Sequence, residues 1–437
     1  MGNVGFSDHI EATLCQVGSL AKTGIEEGRL VFDSTEVQGM ENCGLINRMP
    51  DSKVSRRWRA NFCFIHLTLQ EFLAAREIAK MEPSDLSDFI TSNASDPKWH
   101  LVIQFVAGLL HGKDNEAVNS FVSLLHDSLT QSSLNIETKQ KAILMMKCLH
   151  EYNNETTVEK AASELQKNSK FNNGIDLSYC QVTPVDCPAV VYFIKHLHEL
   201  TELDLGDNNI TDQDQGVSHL CDALKHVNCK LTELNLGHNN ITDQGVSHLC
   251  DALKDVNCKL TELNLGYNNI TEQGVSHLCD ALKHVNCKLT KLNLGYNNIT
   301  EQGVSHLCDA LKDVNCKLTK LNLGYNNITE QGVSHLCDAL KHVNCKLTKL
   351  NLGYNNITEQ GVSHLCDALK HVNCKLTELN LGYNNITDQG VSHLCDALKD
   401  VNCKLTELDL SYNNITDQGV SHLCDATKMM QIVNLLS

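Results

Sequence analysis

Two kinds of side chain recur in this sequence at a spacing that can present chemistry along a surface. Lys291, Lys320 and Lys349 return at one fixed interval, and the same position holds glutamate at Glu202, Glu233, Glu262, Glu378 and Glu407. A little after each lysine or glutamate stands a second column: Asp207, His238, then Tyr267, Tyr296, Tyr325, Tyr354, Tyr383 and Tyr412. Like charges on neighbouring strands are mildly destabilising, so three lysines in register point to an acidic or amphipathic partner. Tyrosine is enriched at binding hot spots, and the two columns together are the candidate partner-binding residues. Duplication of near-identical units is the competing source of the same column.

Other recurring groups carry less. His248 and Cys250 form a His-x-Cys pair that returns in each unit. Residues two apart on a helix point about 200° apart, so the pair cannot share a tetrahedral zinc ion. Ser247 and His248 are adjacent, with no orienting acid at a defined spacing, so no catalytic residue is assigned and no enzyme is expected. Asn240-Ile-Thr242 is a formal glycosylation sequon, but it follows from the repeat and has meaning only in a secreted chain.

The element that positions the columns is a repeated unit, LTELNLGHNNITDQGVSHLCDALKDVNCK, which runs from Leu231 to Lys259. Its first leucine recurs at Leu260, Leu289, Leu318, Leu347, Leu376 and Leu405. A copy from Leu200 carries an extra Asp-Gln in TDQDQG, and a divergent copy begins near Gly174. A fixed period in the twenties marks a solenoid. Alternation at Leu234 and Leu236 predicts a short strand. Asn239 follows at the turn, where its amide is expected to bond the backbone of the next coil. Gly245 marks the break before a helix, and Val246, Leu249 and Leu253 share one helix face. Stacked units give a parallel sheet on the concave side and helices on the convex side. The divergent copy and the helices before it are expected to cover the first coil. Met430, Val433 and Leu435 repeat the strand pattern as a final, shortened strand whose outer side is poorly covered, as in a chain truncated there.

Residues 1–170 contain no repeat. Phe62, Phe64 and Ile65 predict a strand, and Leu69, Phe72, Leu73 and Ile78 an amphipathic helix. LVFDSTEVQGMENCGLI predicts short strands and turns, and Arg56, Arg57 and Arg59 cluster around Trp58. Helix, strands and helix in this order fit a small winged-helix unit. Residues 84–168 predict several helices, with Pro83 and Pro97 at or before helix starts.

The bulk numbers bound the function. A net charge of -17 argues against a grip on nucleic acid or anionic lipid. No apolar run reaches membrane-helix length. The N-terminus lacks the pattern of a secretory signal, and Phe6 stands where myristoylation needs Ser or Thr. Fifteen of the 21 cysteines recur at one pair of repeat positions. In a reducing, cytoplasmic compartment they act as small buried hydrophobes.

The unit LxxLxLxxN with a helix and a Cys-ended return resembles the ribonuclease-inhibitor-type leucine-rich repeat. Phe64 to Ala75 (FIHLTLQEFLAA) resembles the FxHxxxQEFLAA signature of NOD-like receptors, which lies in the winged-helix part of their nucleotide-binding module. Trp99 to Leu110 and Lys147 to Glu151 (KCLHE) resemble two later segments of that family, in the family's order. The resemblance implies an α/β fold: a ribonuclease-inhibitor-like leucine-rich-repeat horseshoe solenoid over 171–437, preceded by a winged-helix remnant over 1–80 and an all-α helical domain over 81–170. It implies that His66 contacts nucleotide phosphates in a closed, ADP-bound parent; otherwise His66 is a histidine at a strand end. Family members place a NACHT domain before the winged helix, but this sequence has no GxxxxGKS/T loop. It therefore reads as the C-terminal part of a receptor or a truncated relative. ADP or ATP is expected only with a NACHT domain upstream, which would also carry self-association, and no cofactor or metal is expected in this chain.

The implied function is ligand sensing and autoinhibition in a cytosolic innate immune receptor, with a protein or microbial ligand on the concave face. The alternative is a stand-alone inhibitor or decoy that wraps one protein, which would not need the segment before the repeats. A Ran GTPase-activating protein uses the same repeat type, but residues 174–437 contain no arginine to serve as a finger.

Overall fold

The computed structural model describes residues 4–50, 52–54, 57–131, 135–212, 216–426 and 432–434. They fall into two compact units, Met1–Phe171 and Asn172–Ser437.

The first unit opens with α1 (Val4–Glu26) and five short strands, β1 (Phe32–Asp33), β2 (Ile46–Arg48), β3 (Ser52–Val54), β4 (Arg57–Arg59) and β5 (Asn61–Phe64). β5 is the centre of an antiparallel sheet, β1-β5-β2, and β3 pairs with β4. Phe32, Phe62 and Phe64 are buried, but Ile65 is 49% exposed. Ile65 lies past the strand because the chain turns there into α2 (Leu67–Ile78). Gln70 of α2 is buried, and its Nε2 donates to the carbonyls of Ala21 (3.5 Å) and Arg29 (3.3 Å). A buried amide must be satisfied, and here that need ties α2 to α1. Of the basic cluster, Arg56 lies outside the described residues, and Arg57 and Arg59 belong to β4.

Five helices complete this unit: α3 (Pro83–Asn93), α4 (His100–Leu109), α5 (Val118–Thr130), α6 (Ile136–Tyr152) and α7 (Glu155–Lys167). Pro83 opens α3, and Pro97 opens a short 3-10 turn before α4. An amide hydrogen would be orphaned at both positions. Trp99 is buried and meets Phe89 edge-on, with centroids 5.0 Å apart. α6 stops at Asn153, whose φ of 49° is the left-handed cap that asparagine tolerates.

The second unit is a sheet of ten parallel strands: β6 (Gly174–Asp176), β7 (Glu202–Asp204), β8 (Glu233–Asn235), β9 (Glu262–Asn264), β10 (Lys291–Asn293), β11 (Lys320–Asn322), β12 (Lys349–Asn351), β13 (Glu378–Asn380), β14 (Glu407–Asp409) and β15 (Ile432–Asn434). β15 pairs with β14 through Val433 opposite Leu408, which is the expected final strand. Met430 and Leu435 lie outside the described residues, as does most of the extra segment in TDQDQG. A short helix follows each strand from β6 to β14, beginning with α8 (Cys187–Ile194), α9 (Gly216–Leu224) and α10 (Asp243–Leu253) and ending with α16 (Asp417–Ala426). Helices are wider than the 4.7–4.9 Å or so between strands, so the sheet takes the concave side.

Each coil is a layer of one core. Leu231, Leu234, Leu236, Ile241, Val246, Leu249, Leu253 and Cys258 are all buried. Cys250 is buried while His248 is exposed, so the His-x-Cys pair points to different sides of α10.

Two local expectations are corrected. The Asn239 amide serves the preceding coil, not the next: its Oδ1 accepts from Ile210 N (2.9 Å), and its Nδ2 donates to Leu205 O (3.0 Å) as well as to Leu236 and Gly237 O of its own coil. The turn folds back over the coil already laid down, and that is where backbone groups lack partners. Gly245 does not precede the helix. α10 starts at Asp243, capped by Thr242, whose hydroxyl accepts from Gln244 N. The glycine is needed inside the first turn for close packing. At the equivalent Gly303, a Cβ would lie 2.9 Å from Ile299 Cγ2 and 3.4 Å from Glu272 Cα of the preceding coil.

Candidate protein-binding surface

The strand register builds the lysine column directly. Glu262, Lys291, Lys320, Lys349 and Glu378 are successive partners across β9 to β13. Alternation turns the flanking leucines inward, so these side chains stand on the concave face. The column resolves its own repulsion at the ends. Lys291 Nζ forms an ion pair with Glu262, and Lys349 Nζ with Glu378. Both outer lysines thus lean away from Lys320, and among the described residues Lys320 makes no ion pair. The expected basic window of three lysines is, electrostatically, one unpaired ammonium between two neutral pairs. At the acidic end, burial pushes the Glu233 carboxyl above its ordinary value, and the charges of Glu262 and Glu202 add to this.

The tyrosines do not lie on the strands. Each sits one turn later in left-handed backbone, with φ of 52–54°, as do Asp207 (53°) and His238 (51°). Such a conformation is uncommon outside glycine and asparagine. The Asn239-type amides and the coil-to-coil backbone bonds, such as Tyr296 N to Gly324 O (2.8 Å), hold it. Because every coil repeats this geometry, the rings stack. His238 lies on Tyr267, and the stack continues through Tyr296, Tyr325, Tyr354 and Tyr383 to Tyr412, with centroids 3.5–4.0 Å apart and planes 14–21° from parallel. Isolated ring pairs prefer offset or edge-on contact, so backbone register, not ring preference, sets this arrangement. Away from its His238 end, the faces are used up within the stack, and what the ladder offers a partner there is ring edges and phenol hydroxyls.

Sequence reasoning missed two features. Between the lysine and tyrosine columns runs an amide ladder: Asn293 Nδ2 donates to Asn264 Oδ1 (2.7 Å), and Asn235 Nδ2 donates to Asp204 Oδ1 (2.8 Å). Its signal was the recurring asparagine between the two strand leucines of most units. The second is a break in the ring column at Asp207, which is flanked by Tyr179 on the preceding coil and His238 on the next.

His66 belongs to the first unit. It is exposed, and its Nδ1 accepts from Thr68 N (3.1 Å), which makes it the N-cap of α2. This bond satisfies one orphan helix donor and leaves Nε2 as the ring's other polar atom. Nearby Glu71 is raised above its ordinary carboxyl value by burial, an effect partly offset by His66.

The model described as Leucine Rich repeat matches residues 196–214, 227–250, 256–279, 285–308, 314–337, 343–366, 372–395 and 401–424. The second unit is a leucine-rich-repeat solenoid. The chain is 28% identical over 298 residues to human nucleotide-binding oligomerization domain-containing protein 1, covering 53% of this chain and 30% of that protein. It is 37% identical over 68 residues to human NACHT, LRR and PYD domains-containing protein 14, covering 16% of this chain and 6% of that protein. The chain thus spans less than a third of these relatives, and the likeness supports a repeat region of the NOD-like-receptor kind. Among solved structures, an internalin (inlF) from Listeria monocytogenes is 17% identical with a TM-score of 0.37, covering 82% of this chain and 97% of that one. The leucine-rich-repeat domain of APL1B is 16% identical with a TM-score of 0.33, covering 65% and 74%. Among the described residues, no helix of the solenoid or of the first unit is long and apolar enough to cross a membrane.

Proposed function

We propose that this chain is the ligand-sensing and autoinhibitory C-terminal part of a cytosolic NOD-like innate immune receptor, with ribonuclease-inhibitor-type repeats. It acts by binding protein and not by catalysis. The observation that carries the reading is the concave face itself. Lys320 stands unpaired between the Lys291–Glu262 and Lys349–Glu378 pairs, beside a ladder of phenol edges. An unpaired ammonium on the paired strands of the concave sheet suits a carboxylate-bearing protein surface, and tyrosine edges supply amphipathic contact at little entropic cost. The likeness to human proteins named for a nucleotide-binding oligomerization domain and for NACHT, LRR and PYD domains supports the receptor assignment.

In this reading the chain needs no cofactor of its own. A NACHT domain upstream would bring ADP or ATP and self-association, and His66 Nε2 would then face the nucleotide phosphates. Sequencing full-length cDNA upstream of Met1 tests this. An in-frame extension encoding GxxxxGKS/T is the expected result. An in-frame stop just upstream, with Met1 as the start, would replace it with a stand-alone inhibitor or decoy using the same face.

A further inference from the structure

The column of rings is broken at one place. Tyr179, Asp207 and His238 occupy the same position on three successive coils, and all three take the left-handed conformation used by the tyrosines. From His238 onward every member stacks on the next. Among the described residues, Tyr179 stacks on no ring, and it is 59% exposed. Asp207 thus stands where a ring is missing. Tyr179 and His238 flank this position from the preceding and the following coil.

Asp207 fills the position with a carboxylate that has capacity to spare. Asp207 holds the Tyr179 phenol above its ordinary value, and His238 Nδ1 stands 3.6 Å from Asp207 Oδ1, beyond a good hydrogen bond. A carboxylate has about four acceptor sites, so most remain for a ligand. The position lies on an open, shallow stretch of the concave face, lined by Tyr179, Asp207, His238 and Tyr267 and continuing past Tyr296 to Tyr325. The surroundings are acidic: Glu202, Asp204 and Glu233 stand on the same two coils, and the column holds no lysine before Lys291.

We propose that this gap is a binding slot for a guanidinium group, the side chain of an arginine presented by a protein partner, held between Tyr179 and His238 on the Asp207 carboxylate. Guanidinium is planar, weakly hydrated, stacks on aromatic faces and meets a carboxylate with two parallel N–H donors. A compact ammonium lacks the plane, and a neutral planar group lacks the charge. The proposal rests on the reading of the concave face as a protein-binding surface. It adds polarity to that reading: the partner is basic where it meets Asp207 and acidic where it crosses Lys320.

The test is ligand-observed NMR titration of the intact 437-residue chain with acetyl-arginine amide. Acetyl-citrulline amide and acetyl-lysine amide serve as the neutral planar and charged non-planar controls. A single side chain is expected to bind with a Kd of about 1–10 mM, with both controls about tenfold weaker. Asp207→Asn, which tolerates the left-handed backbone, is expected to weaken binding of the arginine probe about tenfold. Asp207→Tyr installs the residue that later coils already use there. It is expected to abolish binding and to strengthen the near-ultraviolet circular dichroism of the tyrosine stack. Equal binding of the arginine and citrulline probes, or full binding to either Asp207 variant, would overturn the slot. A Gly-Arg-Gly peptide binding no tighter than the isolated group would overturn its link to a protein partner. If the slot fails while acidic peptides still depend on Lys320, this inference falls alone and the reading of the concave face stands.

Discussion

The ring of Tyr296 lies flat on that of Tyr325, with centroids 3.5 Å apart and planes 17° from parallel, although a whole repeat of chain separates them. One full coil of strand, turn and helix brings the chain back to that spacing. The contact therefore reports on the register of the whole array, and several measurable properties follow from the register.

Alkaline pH should loosen the array in a defined direction. Burial, with the hydroxyls of Tyr267 and Tyr325, holds the Tyr296 phenol well above its ordinary value. Tyr354 is raised first by burial, and Tyr412 first by its bond to Tyr383. Burial also pushes the Cys308 thiol up to about 12. An acid whose folded pKa is raised stabilises the fold fully below its unfolded value and loses that contribution as pH climbs through the folded one. Unfolded thiols and phenols titrate at about 8.5 and 10. The melting temperature should therefore hold up to about pH 8, then fall, and fall more steeply above about pH 10. Phenolate absorbance in the native state should lag behind that of the unfolded chain. Tyrosines that titrate alike in both states would contradict the stacked ladder.

Removing one layer of the core should cost what a cavity costs. Leu321 is 2% exposed at the centre of β11. Leu321→Ala is expected to destabilise the array by about 2–5 kcal/mol, read by denaturant melts. A loss below about 0.5 kcal/mol, the scale of a surface substitution, would place Leu321 outside the core.

The asparagine turn makes a sharper prediction. Asn326 Oδ1 accepts from Ile299 N (3.0 Å), and its Nδ2 reaches Leu294 O of the preceding coil (3.0 Å) and Leu323 O of its own (3.1 Å). Asn326→Ala leaves these buried groups without partners, at about 1–3 kcal/mol for each one that water cannot reach. Amide exchange should quicken at Ile299, in the coil before the substitution, more than at Ile357 in the coil after it. Equal protection at the two amides would contradict the direction of the bond.

Much of this was legible in the sequence. One fixed period, with leucines at Leu231, Leu234 and Leu236, dictates a stacked parallel sheet, and the column memberships follow by counting. Direction and pairing were not legible. Nothing in the string says whether Asn239 reaches forward or back, because both coils offer the same backbone groups. Nor does it fix that Lys291 and Lys349 close onto Glu262 and Glu378, because that is a choice of side-chain rotamer and not of order along the chain. The left-handed turn that puts tyrosines face to face was hidden as well, since tyrosine is not a residue that signals positive φ. In the first unit, the spacing of Phe62 and Phe64 foretold β5, but not that His66 would cap α2 by its own side chain.

On the proposed function, partners bind the concave face at Lys320. The direct measurement is selection of peptides from a random displayed library on the intact chain, followed by affinity measurements on two variants. Lys320→Glu reverses the unpaired ammonium of the column, and Lys312→Glu, at the C-cap of the Glu301–Leu311 helix, is the control on the helical side. Peptides rich in Asp and Glu should be enriched, with a loss of about tenfold or more on Lys320→Glu and little change on Lys312→Glu. Selected peptides without acidic bias, or acidic peptides that lose affinity only with Lys312→Glu, would contradict it.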